Sequence, residues 1–81
     1  MEFPCSFAVK VIGVDSPIFL EDIKKIVLNH FPNFELGSLV YKESGNKNYL
    51  AITATVLATS QEMLDLFYQE LTRHPDVKMV L

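Results

Sequence analysis

The chain has 81 residues, of which 49% are hydrophobic and 21% are charged, and its formal net charge is −3. This length predicts a single domain over residues 1–81, because domains of roughly 100–200 residues are typical. The hydrophobic content excludes a disordered chain, the single cysteine excludes a disulfide scaffold, and no apolar run approaches the ~18 residues of a membrane span.

The charge balance argues against a nucleic-acid-binding protein. Lysine and arginine total seven, and Arg73 is the only arginine, whereas a nucleic-acid-binding module needs a basic face to neutralise phosphates. The first residues lack the basic segment of a secretory signal, and one cysteine fits a reducing compartment. We therefore expect a cytoplasmic protein without a nucleic-acid partner and without membrane association.

The N-terminal part of the chain predicts a strand followed by a helix. Hydrophobic residues alternate over residues 6–13, which is typical of a strand. Asp15 and Ser16 are both good helix caps, and Pro17 suits the first position of a helix because its φ is already set. The helix should end shortly before Pro32, since the residue that precedes a proline disfavours the helical conformation.

The middle of the chain predicts two antiparallel strands. β-branched residues alternate over residues 48–57, which favours a strand over a helix. Residues 35–43 form a less regular strand, and the sequence leaves open which of its side chains face the core. Residues 44–47 have the composition of a hairpin turn.

The C-terminal part predicts a second helix and a last strand. Thr59 and Glu62 have the spacing of a capping box, with Thr59 as the cap. A stripe of hydrophobic residues follows at helical spacing, and Pro75 ends the helix. Residues 77–81 are mostly hydrophobic, although free tails are usually polar, so we expect them to pair within the sheet.

The order of these elements is βαββαβ, which predicts the fold class. The simplest solution is an α+β, ferredoxin-like sandwich: a four-stranded antiparallel sheet of order 4-1-3-2 with two helices on one face. The other face of the sheet is left for water or a partner, and we call it the open face. Alternation places Ala8 and Thr55 there, together with the candidate interface residues Lys10, Ile12, Tyr49, Ala51, Thr53, Lys78 and Val80.

Known activities of this fold class need residues that the chain lacks. Metal carriers use paired cysteines, acyl phosphatases use an arginine in the first strand–helix loop, and RNA-binding modules stack bases on strand aromatics. Here Cys5 is alone and His30 and His74 have no ligand-like neighbours in sequence. We predict no catalytic residue, no metal and no cofactor; an enzyme that brings Cys5, both histidines and carboxylates together remains a further alternative.

The turn before the first helix is a candidate ligand site. Amide groups at a helix N-terminus attract anions and carboxylates, and the candidate ligand-binding residues are Gly13, Val14, Asp15 and Ser16. Asp15 competes for those amides and would instead accept a hydrogen bond from an amine. Helix capping alone explains the same residues.

Five local segments together resemble a known family. They are Phe3-Pro4, Lys10-Val11-Ile12-Gly13, Ala58-Thr59, Tyr68-Gln69-Glu70-Leu71 and Val77-Lys78-Met79-Val80-Leu81. In these segments the chain resembles the YbeD-like family of small bacterial proteins of unknown function. The resemblance covers nearly the whole chain and includes no catalytic motif.

The resemblance implies a fold similar to ACT regulatory domains, a bacterial cytosolic setting, and a loose link to lipoate metabolism through gene neighbourhood. ACT domains bind small ligands near the first strand–helix loop, which corresponds here to residues 13–16. Our leading hypothesis is a non-enzymatic regulatory or interaction module that pairs through its sheet with itself or with a metabolic enzyme. The alternative is a sensor of amino acids or short-chain acids at residues 13–16.

Overall fold

The architecture follows from a computed structural model, which describes residues 3–43 and 48–81. Its elements are β1 (Cys5–Val14), α1 (Pro17–His30), a 3-10 helix (Leu36–Ser38), β2 (Val40–Glu43), β3 (Tyr49–Ala58), α2 (Gln61–Arg73) and β4 (Val77–Val80). The strands form one antiparallel sheet of order β2-β3-β1-β4. This is the predicted 4-1-3-2 order read from the other edge, and it confirms the predicted ferredoxin-like fold.

Helix α1 begins where the sequence predicts. The Ser16 hydroxyl oxygen accepts a hydrogen bond from the Phe19 amide at 3.1 Å, and Pro17 occupies the first helical position. The helix ends at His30, and the Phe31 amide donates to the Val27 carbonyl oxygen at 2.7 Å. Local signals therefore determine this helix at its start, because the cap and the proline act within one turn.

The N-cap of helix α2 lies one residue after the predicted cap. Ser60 is the N-cap, in extended conformation, and its hydroxyl oxygen accepts from the Met63 amide at 3.2 Å. The Thr59 hydroxyl instead donates to the Met63 sulfur at 3.5 Å. The predicted capping box was wrong, because a cap at Ser60 moves the reciprocal position from Glu62 to Met63, which has no carboxylate.

The strand predicted over residues 35–43 is shorter than expected. Its first part turns back on itself, since the Ser38 amide donates to Glu35 and the Leu39 amide donates to Leu36. Only Val40–Glu43 pairs with β3. The predicted turn at residues 44–47 lies outside the described residues.

The C-terminal segment is paired within the sheet, as predicted, but with an irregular register. The Lys10 amide donates to the Leu81 carbonyl at 3.0 Å, and the Leu81 amide donates back at 2.8 Å. A bulge lies near Lys78, which has no partner on β1. Val80 consequently lies opposite Val11 and packs against the core, so its predicted place on the open face was wrong.

The core lies between the sheet and the two helices. Phe19 and Ile23 of α1 and Phe67 and Leu71 of α2 are all fully buried. The strands contribute alternate residues to this face, which we call the covered face: Val9, Val11, Leu50, Ile52, Ala54, Val56 and Ala58. The intervening positions belong to the open face, and none of them on β1 or β3 is buried.

Candidate functional site

The turn at residues 13–16 is packed tightly against the rest of the chain. Gly13 is buried, and a Cβ atom there would lie 2.5 Å from the Asp76 carbonyl oxygen and 2.8 Å from Cε1 of Phe19. Real side chains cannot approach that closely without displacing backbone. Packing by itself therefore accounts for a glycine at this position, without any ligand.

Most polar groups of this turn already have partners within the chain. The Val14 amide donates to the Asp76 carbonyl at 3.0 Å, and the Asp15 amide donates to the Asn48 carbonyl at 3.2 Å. The Ser16 hydroxyl caps α1. These amides are no longer available to an anion, and ligand binding at residues 13–16 stays a prediction.

The open face brings together five of the seven candidate interface residues. In the register of β1 with β3, Lys10 lies opposite Thr53 and Ile12 lies opposite Ala51. Tyr49 is on the same face, opposite Val14. Lys78 lies in the bulge of β4, and Val80 belongs to the covered face.

Sequence reasoning missed several exposed apolar side chains of the open face. Val40 of β2 lies opposite Thr53, and Met79 of β4 lies opposite Ile12. Leu57 of β3 is on the same face as Thr55, which lies two residues before it. Their exposures are 62%, 51% and 59%. Alternation could have found Leu57, but Val40 and Met79 depend on where β2 begins and on the bulge in β4.

The charges of the open face have one sign. Lys10 lies on β1, and Lys42 lies opposite Ala51 on β2. Within the described strands the acidic residue is Glu43, which lies opposite Leu50 of the covered face. The open face is therefore apolar and positively charged on a chain whose net charge is −3.

Two histidine–carboxylate pairs join the helices on the other side of the molecule. His30 of α1 contacts Glu70 of α2, and His74, which follows α2, contacts Asp22 of α1 at 2.9 Å. The second ring nitrogen of His74 accepts from the Asp76 amide at 3.1 Å. Its Nε2 therefore carries the proton and donates to Asp22, which orients the ring.

A groove of about 520 Å³ runs between α1 and α2. Its lining contains both histidines; the set is Ile26, His30, Leu66, Gln69, Glu70, Arg73 and His74. This set includes no serine, threonine or cysteine, and Cys5 lies at the start of β1. In residues 3–43 and 48–81, no three histidine, cysteine or acidic side chains are grouped to hold a metal.

The two histidine–carboxylate pairs of the groove connect the helices. Each histidine binds a carboxylate on the opposite helix, so the two pairs tie α1 to the C-terminal end of α2. A histidine that serves as a general base for covalent catalysis needs a nucleophile within hydrogen-bond reach. The side chains that line this groove do not supply one.

Comparisons with known proteins identify the family. The family model described as "Protein of unknown function (DUF493)" matches residues 1–81. A UPF0250 protein of Leptothrix cholodnii is 46% identical over 81 residues, which cover 100% of this chain and 89% of that protein. The chain belongs to this family of bacterial proteins of unknown function, and the resemblance seen in the sequence is confirmed.

Solved structures share the fold at low sequence identity. The C-terminal domain of the MgtC protein from Mycobacterium tuberculosis matches with a TM-score of 0.76 at 17% identity, and the match covers 100% of this chain and 88% of that one. The ACT domain from GTP pyrophosphokinase of Chlorobium tepidum matches with a TM-score of 0.73 at 12% identity, covering 94% of both chains. These likenesses show an ACT-like fold.

Neither helix resembles a membrane span. In the part of the chain that the structure describes, no helix combines the length and the apolar character needed to cross a bilayer.

Proposed function

We propose that this member of a family of unknown function is a non-enzymatic interaction or regulatory module that acts through its open face. It would pair there with a second copy or with a metabolic enzyme, in the cytoplasm. The observation that carries the proposal is a sheet face with large exposed apolar side chains, lysines and no acidic strand residue.

The physical argument is that exposed apolar side chains gain free energy when a partner covers them. Fully burying a side chain of valine or leucine size contributes about 1.5–3 kcal/mol, and Val40, Leu57 and Met79 are each more than half exposed. Exposed apolar patches on soluble domains mark interaction sites. The register and alternation of the strands bring these three side chains to the open face.

The charges indicate what kind of partner fits. Lys10 and Lys42 repel another basic surface and attract an acidic one, so they favour an enzyme partner with carboxylates around an apolar centre over the open face of a second copy. The likeness to the ACT domain of a GTP pyrophosphokinase supports a regulatory role, since that domain belongs to a larger enzyme by its description.

Charge reversal on the open face tests the proposal. Lys10→Glu changes the centre of this face, and the matched control Lys25→Glu makes the same change on an exposed position of α1. Sedimentation velocity measures self-association, and quantitative mass spectrometry measures specific capture from bacterial lysate. We expect the unaltered chain to form a dimer or a defined complex that Lys10→Glu loses and Lys25→Glu keeps. A monomer that captures nothing, or equal behaviour of both variants, would contradict the proposal.

A second candidate is small-molecule sensing at residues 13–16. One observation favours it: within the described residues the Asp15 carboxylate has no hydrogen-bond partner, and a carboxylate beside a helix start suits the amino group of an amino acid. A ligand at a hundredfold excess over Kd stabilises the folded chain by about 2.7 kcal/mol. Thermal-shift screening with amino acids and short-chain acids, using Asp15→Asn as the control, tests this candidate. Absence of any shift would exclude it.

A further inference from the structure

Strand β3 is longer than the strand that covers its outer edge. β3 spans Tyr49–Ala58, but β2 pairs only with Leu50–Thr53, because β2 begins with Val40 opposite Thr53. Residues 54–58 therefore have β1 on one side and, among the described residues, no strand on the other. We call this segment, about 16 Å of extended chain, the free edge.

The backbone hydrogen bonds of the sheet show which groups the free edge presents. Lys10 exchanges both of its backbone hydrogen bonds with Leu81, so its N–H and C=O point towards β4. The direction of the backbone N–H and C=O groups alternates along an antiparallel strand. Those of Val11 therefore point towards β3, and those of its partner Ile52 point towards β1. The odd-numbered positions of β3 consequently direct their N–H and C=O groups away from β1.

Two residues of the free edge, Thr55 and Leu57, therefore direct backbone donors and acceptors outwards. The preceding loop does not use them, because the Ser38 amide bonds to Glu35 and the Leu39 amide bonds to Leu36. Among the described residues, none pairs with the outward backbone groups of Thr55 or Leu57. Such a row of unpaired groups is a template for another extended chain.

The outer edges of β2 and β4 carry features that discourage strand addition, whereas residues 5–9 of β1 also extend beyond β4. The outer edge of β2 is four residues long and includes Lys42 and Glu43. The outer edge of β4 is equally short and is interrupted by the bulge near Lys78. Charges and bulges are the usual protection of an edge. The free edge has neither at Thr55 or Leu57.

A groove of about 450 Å³ lies directly beside the free edge. Phe31, Phe34, Leu57 and Met63 provide its apolar lining, and Thr55 also belongs to it. Side chains of an added strand would alternate between this groove and solvent, because successive side chains point to opposite faces.

Charge selects the occupant of the groove. Glu35 is the acidic residue in its lining, and it has no ion pair among the described residues. Residues 31–35 and Ser38 line the groove beside the five-residue free edge, which matches the length of a short extended segment.

We propose that the free edge of β3 binds an extended peptide segment of a partner protein, as an added strand in line with β2. The segment alternates apolar residues, which enter the groove, with a lysine or arginine that reaches Glu35. Backbone hydrogen bonds to Thr55 and Leu57 contribute affinity, and the groove contributes specificity. This inference rests on the proposed interaction function and adds to it a contact at the edge of the sheet, beside the open face.

The test uses a displayed library of random octapeptides, selected on the full chain. We expect enriched peptides to alternate apolar residues and to carry a basic residue. Thr55→Pro removes the outward amide without removing a bond to β1, and should weaken the best synthetic peptide roughly tenfold or more. The matched control Thr55→Val keeps that amide and should leave the affinity within about twofold.

Three further measurements keep the result decisive if Thr55→Pro does not fold. Glu35→Gln should weaken basic peptides several-fold, and a peptide N-methylated at alternate residues should lose binding although its charge is unchanged. In unbound protein, hydrogen exchange at the Thr55 and Leu57 amides should be fast, with Ala54 and Val56 protected; bound peptide should slow the first pair at least about tenfold.

Failure of this inference is distinguishable from failure of the proposed function. No enriched peptide, or equal binding by Thr55→Pro and Thr55→Val, overturns strand addition even if the chain still captures a partner through Lys10. Loss of self-association in Thr55→Pro would assign the free edge to a second copy and overturn the peptide site. A chain that neither self-associates nor captures any protein overturns the interaction function itself.

Discussion

The covered face and the open face of the sheet use the same strands for different purposes. On the covered face, Val11 and Ile52 are a cross-strand pair that is almost fully buried under the helices. In the next pair of the ladder, Ile12 and Ala51 stay partly accessible. The two faces therefore differ in what covers them, although both are rich in hydrophobic residues.

The polar groups show the same division. On the helix side, His30 and His74 each have a carboxylate partner on the opposite helix. On the sheet side, Lys10 and Lys42 have no ion pair among the described residues. Both histidines are thus paired within one chain, whereas the two lysines of the open face are left for a partner.

The largest expected effect compares a core side chain with one on the open face. Phe67 is fully buried and packs edge-on against Phe31 at 5.0 Å, so Phe67→Ala should lower the free energy of unfolding by about 3–5 kcal/mol. Leu57 is 59% exposed, and Leu57→Ala should cost less than about 1 kcal/mol. Urea unfolding measures both. Similar losses would mean that the open face also contributes to the core.

A second comparison tests how closely β1 packs beneath the helices. Gly13→Ala places a methyl group against Phe19 and the Asp76 carbonyl, and should cost about 1–3 kcal/mol. Gly37→Ala is the matched control, since no atom lies within 4 Å of its Cβ position. That control should change stability by less than about 1 kcal/mol. If Gly13→Ala were neutral in thermal unfolding, the tight approach of Asp76 to β1 would be contradicted.

The smallest expected effect distinguishes the two candidate caps of α2, one of the two helices that cover the sheet. Ser60 accepts the hydrogen bond of the Met63 amide, so Ser60→Ala should cost about 0.5–2 kcal/mol. Thr59→Ala removes only a contact with the Met63 sulfur, and should cost less. Denaturant titration of both variants checks the order. A larger loss of stability for Thr59→Ala would mean that Thr59 is the cap, as the sequence predicted.

Local signals predicted some elements well and failed where pairing decides. Ser16 and Pro17 define the start of α1 correctly, because a cap and a proline act within one helical turn. For α2, Thr59 and Ser60 are both suitable caps, and the sequence alone does not choose between neighbours. Residues 35–39 have the composition of an irregular strand, yet they turn before reaching β3.

The candidate site divides in the same way. Lys10, Ile12, Tyr49, Ala51 and Thr53 share the open face because alternation along two long strands is a local property. Val80 does not, because the bulge near Lys78 shifts the register by one residue. The turn at residues 13–16 shows a further limit: its amides look available in the sequence, but Asp76 and Asn48 from distant segments accept them.

By itself the sequence determined the order of helices and strands and the apolar stripe of each element, since periodicity and caps depend on near neighbours in the chain. Tertiary structure alone decided where β2 begins, where β4 bulges and which backbone groups of Thr55 and Leu57 remain unpaired. The physical reason is that register belongs to two strands at once, and a residue's partner across the sheet is far away in sequence.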